Sequence, residues 1–193
     1  MSRVAVLVQG TQNDLLAHAG ALSDPGLDAH VAAHGMIPAV AAVLQAARDR
    51  GDLVVHALFV VDEPLPDTAP LFVGIEAASG VRRGSWGAAP IPELAPAPGD
   101  VVLEKRRENP FLNTGLDDLL RENDVRTVVL VGATTTMGVG HAARFGADAG
   151  LRMIVLSDAT ADVSTAAHEA AVRFGLPPVA TLARVAEYLA GPL

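Results

Sequence analysis

The residues of this chain best suited to chemistry are a lysine, an arginine close to a tryptophan, and a glycine turn holding three threonines. Lys105 follows the short apolar run Val101-Val-Leu103, so a strand there carries its ammonium to a sheet edge. Arg83 and Trp86 together offer a guanidinium fork for a carboxylate and a flat indole face for a ring. In Gly132-Ala-Thr-Thr-Thr-Met-Gly138-Val-Gly-His-Ala-Ala-Arg144 a strand turns into a helix through small residues. Backbone N–H groups around Met137 to Gly140 open that helix and suit an anion or oxyanion. All of these groups bind and orient. None is a nucleophile: the chain has no cysteine, and Thr134, Thr135 and Thr136 have no evident base beside them, so bonding to turn backbone or capping the helix suits them better.

The elements that position these groups follow from hydrophobic patterning. Val4-Ala-Val-Leu-Val8, closed by Gly10, reads as a strand buried on both faces and as the centre of a parallel sheet. Ile37, Val40, Ala41, Leu44 and Ala47 recur at helical spacing between Pro38 and Gly51, and Leu53 to Val61 is the next strand. Further on, helices are expected at Leu116–Glu122, Val139–Ala149, Ala166–Phe174 and Val185–Leu189, and strands at Thr127–Val131, Met153–Leu156 and Val179–Leu182. This alternation predicts an α/β fold, a doubly wound Rossmann-like parallel sheet flanked by helices, with its site outside the carboxyl ends of the strands. Three loops meet there: Gln9 to Asp14, Leu103 to Asn109, and Ala133 to Gly138. Residues 62–100, rich in Pro, Gly and Ala, form a long excursion of the kind that covers a site, within one domain over 1–193.

Composition narrows the partners. The net charge is −8, and basic residues cluster only at Arg82-Arg83 and Lys105-Arg106-Arg107, which excludes a nucleic-acid or anionic-membrane surface and suits a small-molecule ligand. No apolar stretch is long enough for a signal-peptide core or membrane span, so a cytoplasmic location is the default expectation. The six histidines show neither His-x-His nor His-Glu-x-x-His, and Gly10 with Gly84 and Gly87 lacks dinucleotide spacing; no metal and no cofactor are expected.

Taken in order, Val6-Leu-Val-Gln-Gly-Thr-Gln12-Asn-Asp14, Gly35-Met-Ile-Pro38, Arg83-Gly-Ser-Trp-Gly87, Pro98-Gly-Asp100, Lys105-Arg-Arg107 with Phe111, and the Gly132 to Arg144 turn resemble the isochorismatase-like hydrolases. That superfamily also holds nicotinamidases and carbamoylsarcosine amidases. The resemblance implies a reaction centre of Asp, Lys and Cys, at positions that fall on Gly10, Lys105 and Gly138. Only the lysine survives. Glycine at the cysteine position also occurs in isochorismatase proper, which cleaves an enol ether without a nucleophile; loss of the acid is the larger departure. None of the Asp and His grouping that holds metal in the nicotinamidase branch is found.

The expected site therefore has Lys105 as its catalytic residue, with Gln9, Gly10, Arg83, Trp86, Thr134, Met137 and Gly138 binding substrate. Lys105, without its former partners, must meet solvent, pair with a new carboxylate such as Asp14, or bind an anionic ligand. The reading is a divergent enzyme acting non-covalently on a small anionic metabolite by C–O or enol-ether hydrolysis, elimination or rearrangement, in specialised metabolism. Its rival is a non-catalytic ligand-binding or structural protein of the same fold; an enzyme keeps a closed, polar, concave site with Lys105 pointing in, whereas a scaffold lets large side chains fill it. Alanine-rich helices after Gly138 and around Ala166, together with oligomers common in the family, point to a homo-oligomer.

Overall fold

Every strand of this chain runs in the same direction, so each return has to cross a face of the sheet, and helices cover both faces. The computed structural model describes residues 3–63, 69–78, 80–191 and 193. In chain order the elements are β1 (Arg3–Gln9), α1 (Asn13–Leu16), α2 (Pro25–His34), α3 (Met36–Arg50), β2 (Leu53–Phe59), α4 (Pro70–Ala78), β3 (Val101–Lys105), α5 (Leu116–Glu122) and β4 (Val125–Ala133). They continue with α6 (Gly140–Asp148), β5 (Arg152–Ala161), α7 (Thr165–Ala170), β6 (Thr181–Ala183) and α8 (Val185–Ala190).

The sheet order is β3-β2-β1-β4-β5-β6. The chain winds outward from β1 through β2 to β3, then restarts on the other side with β4. The ends of β1 and β4 thus flank the switch point, where a crevice opens in doubly wound sheets. β1 is apolar from Val4 to Val8 because it is covered twice: Val6 and Val8 pack under α2 and α3 with Leu27, Met36, Val40 and Leu44, while Ala5 and Leu7 pack under α5 and α6 with Leu116, Leu120, Ala142 and Ala143.

The expected alternation is present with local differences: the last strand begins at Thr181 and not Val179, and the helix expected over Ala166–Phe174 is α7 followed by a π-type turn, Ala171–Gly175. α2 was not expected, yet its signals are orthodox: Asp24 accepts from the N–H groups of Gly26 (2.8 Å) and Leu27 (3.1 Å), Pro25 sits at the first helical position, and Gly35 ends the helix in a left-handed conformation. Part of the 62–100 excursion is helical as α4, while residues 64–68 and 79 of it lie outside the described residues. The helix expected from Val139 is preceded by a wider π-type turn, Thr135–Val139, before α6 begins. Among the described residues no single helix is long and apolar enough to cross a membrane.

The alanines offered to a partner chain divide into two groups. Ala142 and Ala143 are wholly used inside the core beside β4 and β5, whereas Ala166 and Ala170 are exposed.

Candidate active site

The switch point brings β1 and β4 together more closely than side chains allow. Gly10, just past β1, has φ +60°, and a Cβ there would stand 1.9 Å from the carbonyl oxygen of Ala133 at the end of β4. Gly132 returns the approach, since its Cβ would stand 1.9 Å from the Gln9 carbonyl. Only glycine fits at either place. The following Ala133–Thr134 peptide is cis.

Beside this contact lies a cavity of about 320 Å³, the scale of a small-metabolite site. Its walls are largely apolar: Leu15 and Leu22 from the β1–α2 connection, Phe59 from β2, Ile75 and Val81 from the excursion, and Met137 from the turn. The excursion therefore does cover the site. Lys105, Glu108, Thr134, Thr136, Asp24 and Asp162 supply the polar wall.

Lys105 is buried, and its Nζ donates to the Glu108 carbonyl at 3.0 Å and stands 3.6 Å from the Glu108 carboxylate. Burial pushes the ammonium down from its ordinary range against the opposing pull of Glu108. The carboxylate partner is thus Glu108 and not Asp14. Asp14 is committed elsewhere: it accepts from the Ala21 N–H at 3.0 Å and is so closely wrapped by Gly80 and Gly87 that a Cβ on either would overlap its carboxyl group. Gln12 is also structural, bonding Phe59 N–H, Phe59 carbonyl and Ala88 carbonyl at 2.7–2.8 Å.

Behind Glu108 lie Gln9 and Gly138. Gln9 Nε2 donates to the Gly138 carbonyl at 2.9 Å, which fixes the amide's orientation and leaves its buried Oε1 without a protein donor. A Cβ on Gly138 would meet Glu108 Oε2 at 3.3 Å and Gln9 Oε1 at 3.5 Å. The two oxygens therefore crowd the space into which a side chain at position 138 projects. Gly138→Cys should fold, yet its thiol should lie above the ordinary cysteine pKa because a carboxylate faces it. Iodoacetamide labelling against pH, together with an amidase assay, checks this: labelling with the midpoint of an activated thiolate, or amide turnover, would refute it.

Of the expected residues, Gly10, Lys105, Thr134 and Met137 line the cavity. Gln9 and Gly138 stand behind it. Arg83 and Trp86 are not brought to it: Trp86 is 56% exposed, and Arg83 pairs with Asp62 (3.0 Å) and with Glu104. The reason is strand geometry. Glu104 and Lys105 are consecutive on β3 and face opposite ways, one exposed and one buried, so the partner of Glu104 lies away from Lys105. Arg83 borders a separate open depression of about 660 Å³.

The turn is also not a vacant anion site. Asp162 Oδ2 already accepts the Thr136 N–H at 2.6 Å, placing a carboxylate at that helix start. The threonines do not cap the helix; Thr135 Oγ1 bonds instead to His168 Nδ1 at 2.9 Å. Sequence reasoning missed Glu108 and Asp162. The first was signalled by its place three residues after Lys105, and the second only by the fold.

A family model for the isochorismatase domain matches residues 4–187. The chain belongs to the isochorismatase family. It is 33% identical over 114 residues, 59% of this chain and 60% of the relative, to an uncharacterized isochorismatase family protein, YwoC, of Bacillus subtilis. It is 41% identical over 80 residues, 42% of this chain and 32% of the relative, to the ureidoacrylate amidohydrolase RutB of Methylorubrum extorquens. These matches span less than two thirds of either relative's length. The crystal structure of an isochorismatase-like hydrolase from Alkaliphilus metalliredigens aligns over 98% of both chains, with a TM-score of 0.83 and 28% identity. Within this isochorismatase-family fold the present chain has no cysteine at all, so its site lacks the thiol chemistry that the family resemblance associates with position 138.

Proposed function

We propose that this protein is an isochorismatase-family enzyme that acts without a covalent intermediate on a small, largely apolar and uncharged metabolite, using Glu108 as general acid–base. The carrying observation is the placement of Glu108: its carboxylate sits beside the buried Lys105 ammonium, borders the cavity, and closes on the space in front of Gly138. Two positions that the family resemblance gives to an acid and a nucleophile are glycines here, and one carboxylate from the β3 loop faces the second of them, Gly138.

In C–O hydrolysis the Glu108 carboxylate takes a proton from the attacking water, whose oxygen bonds to carbon as the C–O bond breaks, and the Glu108 carboxyl then returns that proton to the departing oxygen. In an elimination or rearrangement Glu108 takes the substrate proton directly. Lys105 steadies negative charge as it develops. The uncharged substrate replaces the anionic one suggested by sequence, because Lys105 is the one cation among the described residues lining the cavity, and Glu108 already balances it. Asp24 and Asp162 add negative charge to the same wall.

The non-catalytic reading draws on one observation, that Lys105 and Glu108 satisfy each other in the absence of ligand. Incubating the protein with a metabolite extract and following depletion by mass spectrometry separates the two. Glu108→Gln should retain the ligand that the parent consumes and convert it at least about 100-fold more slowly. Equal turnover by parent and variant would remove Glu108 from the reaction, and binding without conversion by either would favour the scaffold.

A further inference from the structure

Three histidines that the sequence scatters over 139 positions of chain meet behind the Thr135 turn: His30 and His34 on α2, and His168 on α7. His30 and His168 are buried and His34 is exposed, so the group opens to solvent on one side. One ligand-capable atom from each lies within 4.8 Å of the others. The rings stand edge to face, with centroids 4.1 Å (His30 to His34), 4.8 Å (His30 to His168) and 5.4 Å (His34 to His168) apart.

Ring packing alone leaves a buried polar atom unexplained. His30 Nδ1 accepts from the Asp162 N–H at 3.0 Å and lies 3.2 Å from the Asp162 carbonyl oxygen, while His30 Nε2 is buried with no partner among the described residues. In either tautomer that Nε2 is unsatisfied, at a cost that a native core ordinarily avoids. His168 repeats the arrangement, with Nδ1 on Thr135 Oγ1 at 2.9 Å. Imidazoles that ligate metals characteristically direct the other ring nitrogen at a carbonyl, carboxylate or comparable acceptor, which fixes the tautomer. With Nδ1 of His30 accepting the Asp162 N–H, the ring proton sits on Nε2; ligation uses the other tautomer, in which Nδ1–H turns to the Asp162 carbonyl 3.2 Å away and, with His168 Nδ1–H on Thr135, both Nε2 atoms face the ion.

We propose that His30, His34 and His168 bind one divalent transition-metal ion of the zinc class. Three imidazoles and one open position make a donor set suited to such an ion. Ligand nitrogens around tetrahedral zinc lie roughly 3.3 Å apart, from Zn–N bonds of ~2.0–2.1 Å, and rotation of the exposed His34 side chain supplies the closure. The imidazoles are available as ligands: burial, with His30 and His34 nearby, pushes His168 down to about 4, and burial followed by His34 lowers His30. Asp162 and Glu169 contribute a favourable negative field at both buried rings. The ion would tie α2 to α7. It would also brace the active-site turn through two hydrogen bonds, His168 to Thr135 and Asp162 to Thr136. This inference is independent of the substrate reading, since none of the three histidines lines the cavity.

The test is calorimetric titration of untagged, EDTA-dialysed protein with Zn²⁺, followed by Co²⁺ substitution to read the visible spectrum of a tetrahedral nitrogen site. One equivalent per chain is expected, with a raised Tm. His34→Ala, an exposed change that preserves the fold, should weaken binding by more than about tenfold, and Thr135→Val should weaken it while Thr135→Ser restores it. His18→Ala should bind like the parent. No uptake at about 100 μM Zn²⁺, or uptake unchanged in His34→Ala, would overturn the proposal.

Discussion

Gly10→Asp, the substitution that returns an acid to the family's position, is expected to unfold the protein more readily and to create no acid. The new Cβ would stand 1.9 Å from the Ala133 carbonyl oxygen, inside any tolerable contact, and the neighbour is backbone that cannot swing away. A left-handed φ of +60° adds its own penalty for a residue with a side chain. The combined loss should be roughly 3–5 kcal/mol, measurable as a fall in the urea midpoint with unchanged slope. A variant as stable as the parent would mean that β1 and β4 separate easily at their ends. The acid was therefore not simply exchanged for glycine. The close approach of β1 and β4 leaves no room for a side chain at Gly10, and the carboxylate beside Lys105 belongs to Glu108 on a different loop.

The second large effect concerns the Lys105–Glu108 pair. Lys105→Met leaves Glu108 without its cation next to an apolar cavity, and should cost about 2–3 kcal/mol. That lies below the ~3–5 kcal/mol typical of a broken enclosed pair, because the Glu108 side chain keeps 16% of its surface exposed and takes up water. Adding Glu108→Gln should recover more than half of the loss, since the uncompensated charge is then gone. A double-mutant cycle on chemical denaturation gives the coupling directly. Strictly additive losses would show that the two groups stabilise the fold separately and that their proximity carries no energy. Turnover should fall at least about 100-fold in both single variants while the fold persists, which distinguishes loss of the reaction from loss of the protein.

What the sequence disclosed depended on whether one segment carried the signal. β1 was legible because a strand covered on both faces is apolar without interruption, and Lys105 because it follows the short apolar run Val101-Val-Leu103. The Asp24-Pro25 start and Gly35 stop of α2 were equally plain, though weak periodicity obscured the helix between them. Arg83 was misplaced for a reason no local pattern contains: the alternation of β3 sends its partner Glu104 away from Lys105. The histidines show the remaining limit. His30 and His34 are four residues apart on one helix, a visible spacing, but His168 reaches them only through the crossover that follows β5.

The sheet order has a consequence for how this chain meets others. Its two margins are β3 and β6, the strands with outward-facing, unpaired backbone, and such margins recruit neighbouring chains when they are long, flat and apolar. β6 is only three residues long, and β3 is five and carries the exposed Glu104, held by Arg83. Short margins, one of them carrying a charged pair, are the features that discourage continuation of a sheet from molecule to molecule.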